Sequence, residues 1–393
     1  RQDQLIAEAL TAPFTEPGKQ STAARNMALA RLRQLSAHEV GHTLGIDHNF
    51  GASYSGDTSV MDYPHPNLYL DDGDRVRLDR AYARGISPWD TLVIRYGYTV
   101  FDDGQEAAGL KAILAEARDR GIAYFGDRDA RVPGSAHPGA HLWDNGQDVL
   151  QRLDELLAIR RIGLAGFSPD VLAEGTPMFE LERKLVPVFL LHRYQVEASA
   201  KLIGGLQYEY VLKGDEPAVL QPIPASSQER ALAALSGLLN PEQLALPQHL
   251  RYLVPPPLPE FDRDREFFAG ATGAPFDHLA PSRAGADLVI AELLQPTRLA
   301  RMLEQRALNT ALPGAGKVVD AVMAATWYSK PQRDSYLEAV REEVQWRVLH
   351  GLIQLADDNS ASDRVRALAN STLIELADRL ESNARRGNVQ ARA

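Results

Sequence analysis

His38-Glu39-Val40-Gly41-His42-Thr43-Leu44-Gly45-Ile46-Asp47-His48 is the stretch on which the reading of the chain turns. An α-helix advances about 3.6 residues per turn, so side chains four apart share a face. His38 and His42 are therefore placed to grip one ion, with Glu39 beside the first of them. A third ligand cannot lie much further along the same straight helix. Gly45 resolves this, because glycine enters the left-handed region at little cost, ends the helix and lets the chain turn back with His48. Three neutral imidazoles leave the fourth position of a tetrahedral zinc open to water, the signature of a catalytic rather than a closed structural site. Zinc brings the pKa of such a water to about 7, and Glu39 is the natural base for its proton.

With 10 His and 29 Gly in 393 residues, chance matches to the five fixed positions number on the order of 10⁻⁵ per chain of this length. The competing reading is an amphipathic helix with ordinary histidines.

Ser59-Val60-Met61-Asp62-Tyr63-Pro64 follows closely and resembles the methionine turn of the metzincin proteases. That resemblance implies that Met61 forms an apolar floor beneath the metal site. It also implies that Tyr63, like the tyrosine of astacin-like and serralysin-like members, donates a hydrogen bond to a developing oxyanion. A buried tyrosine with a structural hydrogen bond is the alternative for Tyr63. Together with Ile94-Arg95-Tyr96-Gly97-Tyr98 and Leu142-Trp143-Asp144, the chain is similar to a group of large bacterial met-zincin-type metalloproteases with a long helical C-terminal region. Asn49 after His48 departs from several better-known metzincin families.

The fold class expected is mainly α: the C-terminal part of a metzincin-like zincin catalytic domain, with active-site helix and methionine turn, followed by a helical domain with little β. Metzincins place a twisted sheet ahead of the active-site helix, its edge pairing with substrate. Only 37 residues precede His38, and their pattern is helical, so either this sheet lies upstream of the chain, which is the expectation, or the domain is built differently. The sequence starts at Arg1 without a leader, and the resemblance implies a protein exported to the periplasm or beyond the cell.

A hydrophobic share of 45% and a charged share of 24% are ordinary for a globular protein. The net charge of −10 argues against nucleic-acid and anionic-membrane partners, and no apolar run has spanning length. The absence of cysteine excludes disulfides, thiolate ligands and cysteine nucleophiles.

Along the chain, a helix is expected over Gln2–Leu10, broken by Pro13, Pro17 and Gly18, and another from a Ser21 cap to Leu44. Asp71-Asp72-Gly73-Asp74 reads as a helix start leading through Val76, Leu78 and Tyr82, with a further helix from Ser87-Pro88 to Tyr98. A domain boundary is expected near residue 100, separating a zinc-binding segment, 1–100, from a helical region, 101–393, with a subdivision near 254–260. Glu106–Arg120 is helical. Asp127, Asp129, Asp144 and Asp148, with His137 and His141, are candidates for a second metal, although caps and surface turns account for them more simply. Further helices are expected over Val149–Ile159, Pro177–Ile203, Gln228–Leu239, Ala284–Leu308, Lys317–Ser329, Gln332–Asp357 and Ser362–Arg385. A short strand is expected at Tyr208–Leu212, a rigid loop at Pro255-Pro256-Pro257, and core positions for Trp327 and Trp346.

The function expected is a zinc metalloendopeptidase acting on peptide or protein substrates, with zinc held by His38, His42 and His48 and with Glu39 as base. A non-catalytic, zinc-stabilised scaffold or interaction module is the alternative. Glu39 argues against it, since a structural site needs no carboxylate beside an open position.

Overall fold

The computed structural model describes residues 2–12, 22–56, 58–213 and 220–385; Pro13, Pro17, Gly18 and the Ser21 cap lie outside them. The protein is mainly helical, and its strands among the described residues are two short antiparallel pairs. Two compact units are present: Arg1–Val132, His137–Ser199 and Leu246–His278 form one, and Pro133–Ala136, Ala200–Ala245 and Leu279–Ala393 form the other. Each unit is thus assembled from three stretches, unlike the segments expected to meet at residue 100.

In the first unit, α1 (Gln2–Thr11) packs against α2 (Thr22–Thr43) and against α7 (Glu180–Phe189). Ile6, Ala7, Ala9 and Leu10 bury this contact, while Tyr82 Oη donates to Asp3 at 2.8 Å. β1 (Tyr69–Leu70) and β2 (Val76–Arg77) pair in the register Tyr69 with Arg77 and Leu70 with Val76. The acidic run between them is therefore a hairpin turn and not a helix start, and no helix follows through Tyr82. Asp71 Oδ1 accepts from the main-chain N–H of Gly73 and of Arg75, each at 3.0 Å. Aspartate's capacity to bond the backbone two residues on makes this turn.

The helix expected from Ser87 is α3 (Pro88–Tyr98), opened by a capping box between Ser87 and Asp90 with Pro88 in the first turn. α4 (Glu106–Asp119), the one-turn α5 (Asp127–Ala130) and α6 (Val149–Ala165) follow, the last capped by Asp148. The single helix expected over Pro177–Ile203 is two, α7 and α8 (Arg193–Ala200). Pro187 weakens the first of these from inside. Arg160 Nε takes the Phe189 carbonyl at 2.6 Å.

In the second unit the strand lies earlier than expected: β3 (Leu206–Gln207) pairs with β4 (Gln221–Pro222). Helices α9 (Ala225–Gly237), α10 (Pro241–Leu244), α11 (Ala280–Leu293), α12 (Pro296–Leu308), α13 (Ala315–Ala325), α14 (Ser335–Asp357) and α15 (Asp363–Arg385) complete it. The helix expected over Ala284–Leu308 breaks because Gln295, preceding Pro296, is extended, with φ −64° and ψ 119°. Val340, Val344, Val348, Leu352 and Leu355 form the buried face of α14, which packs on α11 and α15. Trp346 lies off that face and is 54% exposed, so it is not a core residue. Trp327 is half-buried and donates through Nε1 to the Gln345 carbonyl at 3.1 Å.

Candidate metal centre

Helix α2 carries His38 and His42 on one face and ends in a Schellman turn. Ile46 N–H bonds the Gly41 carbonyl at 3.1 Å and Gly45 N–H bonds the His42 carbonyl at 2.9 Å. Gly45 has φ +76°, the left-handed geometry that the return of the chain requires. Buried Ile46 then joins Val60, Met61 and Trp89 in one apolar cluster, which fixes the direction of the returning chain. His48 arrives beside the other two rings.

Each imidazole is locked at Nδ1. His38 Nδ1 donates to the Val60 carbonyl at 2.8 Å and His42 Nδ1 to the Ile46 carbonyl at 2.9 Å. His48 Nδ1 donates to Asp127 Oδ2 at 2.7 Å. With the proton at Nδ1, every Nε2 presents a lone pair. These lone pairs converge: His42 Nε2 lies 3.0 Å from His38 Nε2 and 3.2 Å from His48 Nε2. Acceptors facing one another repel unless a cation sits among them. A tetrahedral ion with bonds of about 2.0–2.1 Å would hold its nitrogen ligands about 3.3 Å apart, so the donor set fits zinc. Burial lowers the pKa of His38, and its two neighbouring imidazoles add to that shift against the opposing hydrogen bond to Val60. A second grouping, Asp47, His48 and Asp127, includes the carboxylate that accepts the His48 Nδ1–H hydrogen bond.

The methionine turn is pinned from two sides. Gln34 Nε2 of α2 donates to the Val60 carbonyl at 3.1 Å. From α3, Asp90 accepts from Ser59 Oγ at 2.6 Å, from Val60 N–H at 3.1 Å and from Ser87 N–H at 2.6 Å. Ser59 Oγ in turn accepts from Met61 N–H at 2.9 Å. Met61, 1% exposed, packs directly on α2 at Gly41. A Cβ at Gly41 would lie 2.2 Å from its sulfur, so the variable position before His42 admits the methionine only because it is glycine.

Tyr63 is half-buried, with Oη 3.1 Å from His48 Nε2 and its ring 4.9 Å from those of His38 and His48. Its carbonyl accepts from Trp143 N–H at 2.8 Å. Trp143 occupies a left-handed conformation, φ +58°, that costs a non-glycine residue about 1–2 kcal/mol. Its indole lies 6.4 Å from the Tyr63 ring. Glu39 is exposed on α2 next to His38.

The sequence offers Asp127 only among acids spread over loops, and nothing there ties it to His48, 79 positions earlier. Asn49 makes the connection. This fully buried amide donates to the Ala123 carbonyl at 3.0 Å and accepts from Gly51 N–H at 3.0 Å and Phe125 N–H at 3.2 Å. Phe50 N–H adds a bond to the Phe125 carbonyl at 2.8 Å. The zipped segment delivers α5, on which Asp127 also pairs with Arg131. Burial pushes the Asp127 carboxyl up, but the hydrogen bonds from His48 and Arg131 outweigh it and hold the pKa below the ordinary value. No pattern in the sequence marks Asp90, the anchor of the methionine turn, as a site residue.

The remaining candidates do not form a second metal group among the described residues. Asp148 caps α6, and Asp144 accepts from Ser53 Oγ at 3.2 Å. His137 Nδ1 accepts from Gly139 N–H at 3.0 Å, His141 Nδ1 lies 3.8 Å from Glu197, and Asp129 sits buried in α5.

No curated protein and no solved structure matches the chain. A family model described as Met-zincin matches residues 20–334, a span that takes in the three histidines, the methionine turn, the Asp127 helix and much of the second unit. The match covers well over half of the sequence, and the chain therefore belongs to the Met-zincin family.

Proposed function

We propose that the protein is a zinc-dependent metalloendopeptidase, with His38, His42 and His48 holding the metal through Nε2. The convergence of the three Nε2 atoms, with that of His42 3.0 Å from His38 and 3.2 Å from His48 and all three within 4.8 Å of one another, carries this reading. Zinc bound there supplies Lewis-acid polarisation of a peptide carbonyl and brings the pKa of water to about 7. Glu39 takes the proton from the attacking water onto its carboxylate and returns it to the departing amine nitrogen, so that the peptide C–N bond breaks with the proton balance closed. Tyr63 Oη donates a hydrogen bond to the carbonyl oxygen as negative charge develops there. Met61 and the Asp90-anchored turn keep Val60 in place to receive the His38 proton. All of these residues lie in the first unit. The family resemblance extends the proposal to peptide or protein substrates met in the periplasm or outside the cell.

Glu39→Gln is the decisive variant. It is expected to retain zinc, measured by elemental analysis, while cleavage of an unstructured protein falls by about 10²–10⁴-fold. A variant with full activity would remove Glu39 from the mechanism.

A further inference from the structure

The three imidazoles are not held alike. His38 and His42 give their Nδ1 protons to main-chain carbonyls, which no side-chain substitution removes. His48 donates its Nδ1–H hydrogen bond to a carboxylate on a separate one-turn helix. Asp127 serves two neighbours at once: Oδ2 accepts from His48, and Oδ1 pairs with Arg131 Nε. The Arg131 guanidinium lies over the Phe50 ring at 5.5 Å and over the Tyr63 ring at 5.3 Å. Phe50 and Tyr63 in turn flank the His48 ring at 5.3 and 4.9 Å. Arg131, Asp127, His48 and Tyr63 thus close a ring of contacts around the third ligand.

The Asp127 side chain is 41% exposed and that of Arg131 42%, so as an ion pair they add little to folding. Their placement does something else. A charge-assisted bond to Nδ1 holds the tautomer and ring orientation and raises the basicity of Nε2. Resting on the zinc-site reading above, we infer that Asp127 is a positioning residue that sets how tightly the third imidazole grips the metal. Arg131 fixes the Asp127 carboxylate and packs the Tyr63 ring against the site.

The test is zinc affinity, measured by chelator competition on the purified chain, beside the melting temperature of the metal-free protein and the visible spectrum of the cobalt-loaded form. Asp127→Ala is expected to weaken zinc binding by about ten- to a hundredfold, to leave the metal-free melting temperature near that of wild type, and to change the cobalt bands. Asp127→Asn, which keeps an acceptor without the charge, should lose less. Arg131→Gln should lose least. A purely structural role predicts the opposite pattern, with melting lowered and affinity per folded molecule unchanged. Equal affinity in wild type and Asp127→Ala overturns the inference while leaving the metal site standing. Should Asp127→Ala fail to fold, Asp127→Asn decides on the same criterion. Wild-type protein that takes up no zinc, or that binds it no better than His48→Ala, overturns the site reading and this inference with it.

Discussion

Different physics holds each of the two units together internally. In the first, the long helix α2 is joined to short or irregular segments, and buried polar groups tie them: Asp90 collects three donors from two segments, and Asn49 stitches the chain after His48 to residues 123–125. In the second, long helices meet through apolar faces, as α14 does with Val340, Val344, Val348 and Leu352, each at most 1% exposed. Hydrogen bonds of fixed length and direction can hold three ring nitrogens to a few tenths of an ångström; apolar contact fills space but tolerates sliding and repacking. The difference teaches that a substitution of similar cost should have different consequences in the two places.

The largest loss of stability should come from the apolar side. Leu352→Ala, at a fully buried position of α14, is expected to cost about 2–5 kcal/mol in denaturant unfolding while zinc affinity stays at the wild-type value. A fall in affinity would show that the second unit governs the centre. Asp90→Ala should cost about 3 kcal/mol, because it strands charge-assisted donors in a buried site, and it should weaken zinc binding too, since Val60 carries the partner of His38. Normal zinc affinity in a stably folded Asp90→Ala protein would end the idea that the methionine turn is positioned from α3. Gly41→Ala is the smallest change, a single methyl driven into the Met61 sulfur. Alanine's better helix propensity offsets part of the overpacking, leaving about 1–2 kcal/mol of destabilisation. Thermal melting would read it, and an unchanged or raised midpoint would mean that Met61 repacks freely.

How much of this was legible in the chain depends on sequence distance. The histidine-bearing helix α2, its end at Gly45 and the α3 cap at Ser87-Pro88 rest on contacts within about one or two turns, and such contacts leave a spacing that can be read. The acidic run at Asp71–Asp74 misled because acids favour helix N-termini and tight turns alike. Only the pairing of Tyr69–Leu70 with Val76–Arg77 chose between them. The α11–α12 break was open to reading at Pro296 and the weak point of α7 at Pro187, whereas the bond from Arg160 to the Phe189 carbonyl joins residues 29 positions apart and leaves no local pattern.

By itself the sequence determined a mainly helical protein with one His-Glu-His helix, a glycine turn to a third imidazole and a methionine turn behind it, because each follows from bonds between near neighbours in the chain. Tertiary structure alone decided which residues hold those groups in register: Asp127 on His48, Asp90 beneath the methionine turn and the methionine against Gly41. The physical reason is that directional bonds between distant segments depend on where the whole backbone has carried each atom, and no periodicity records that.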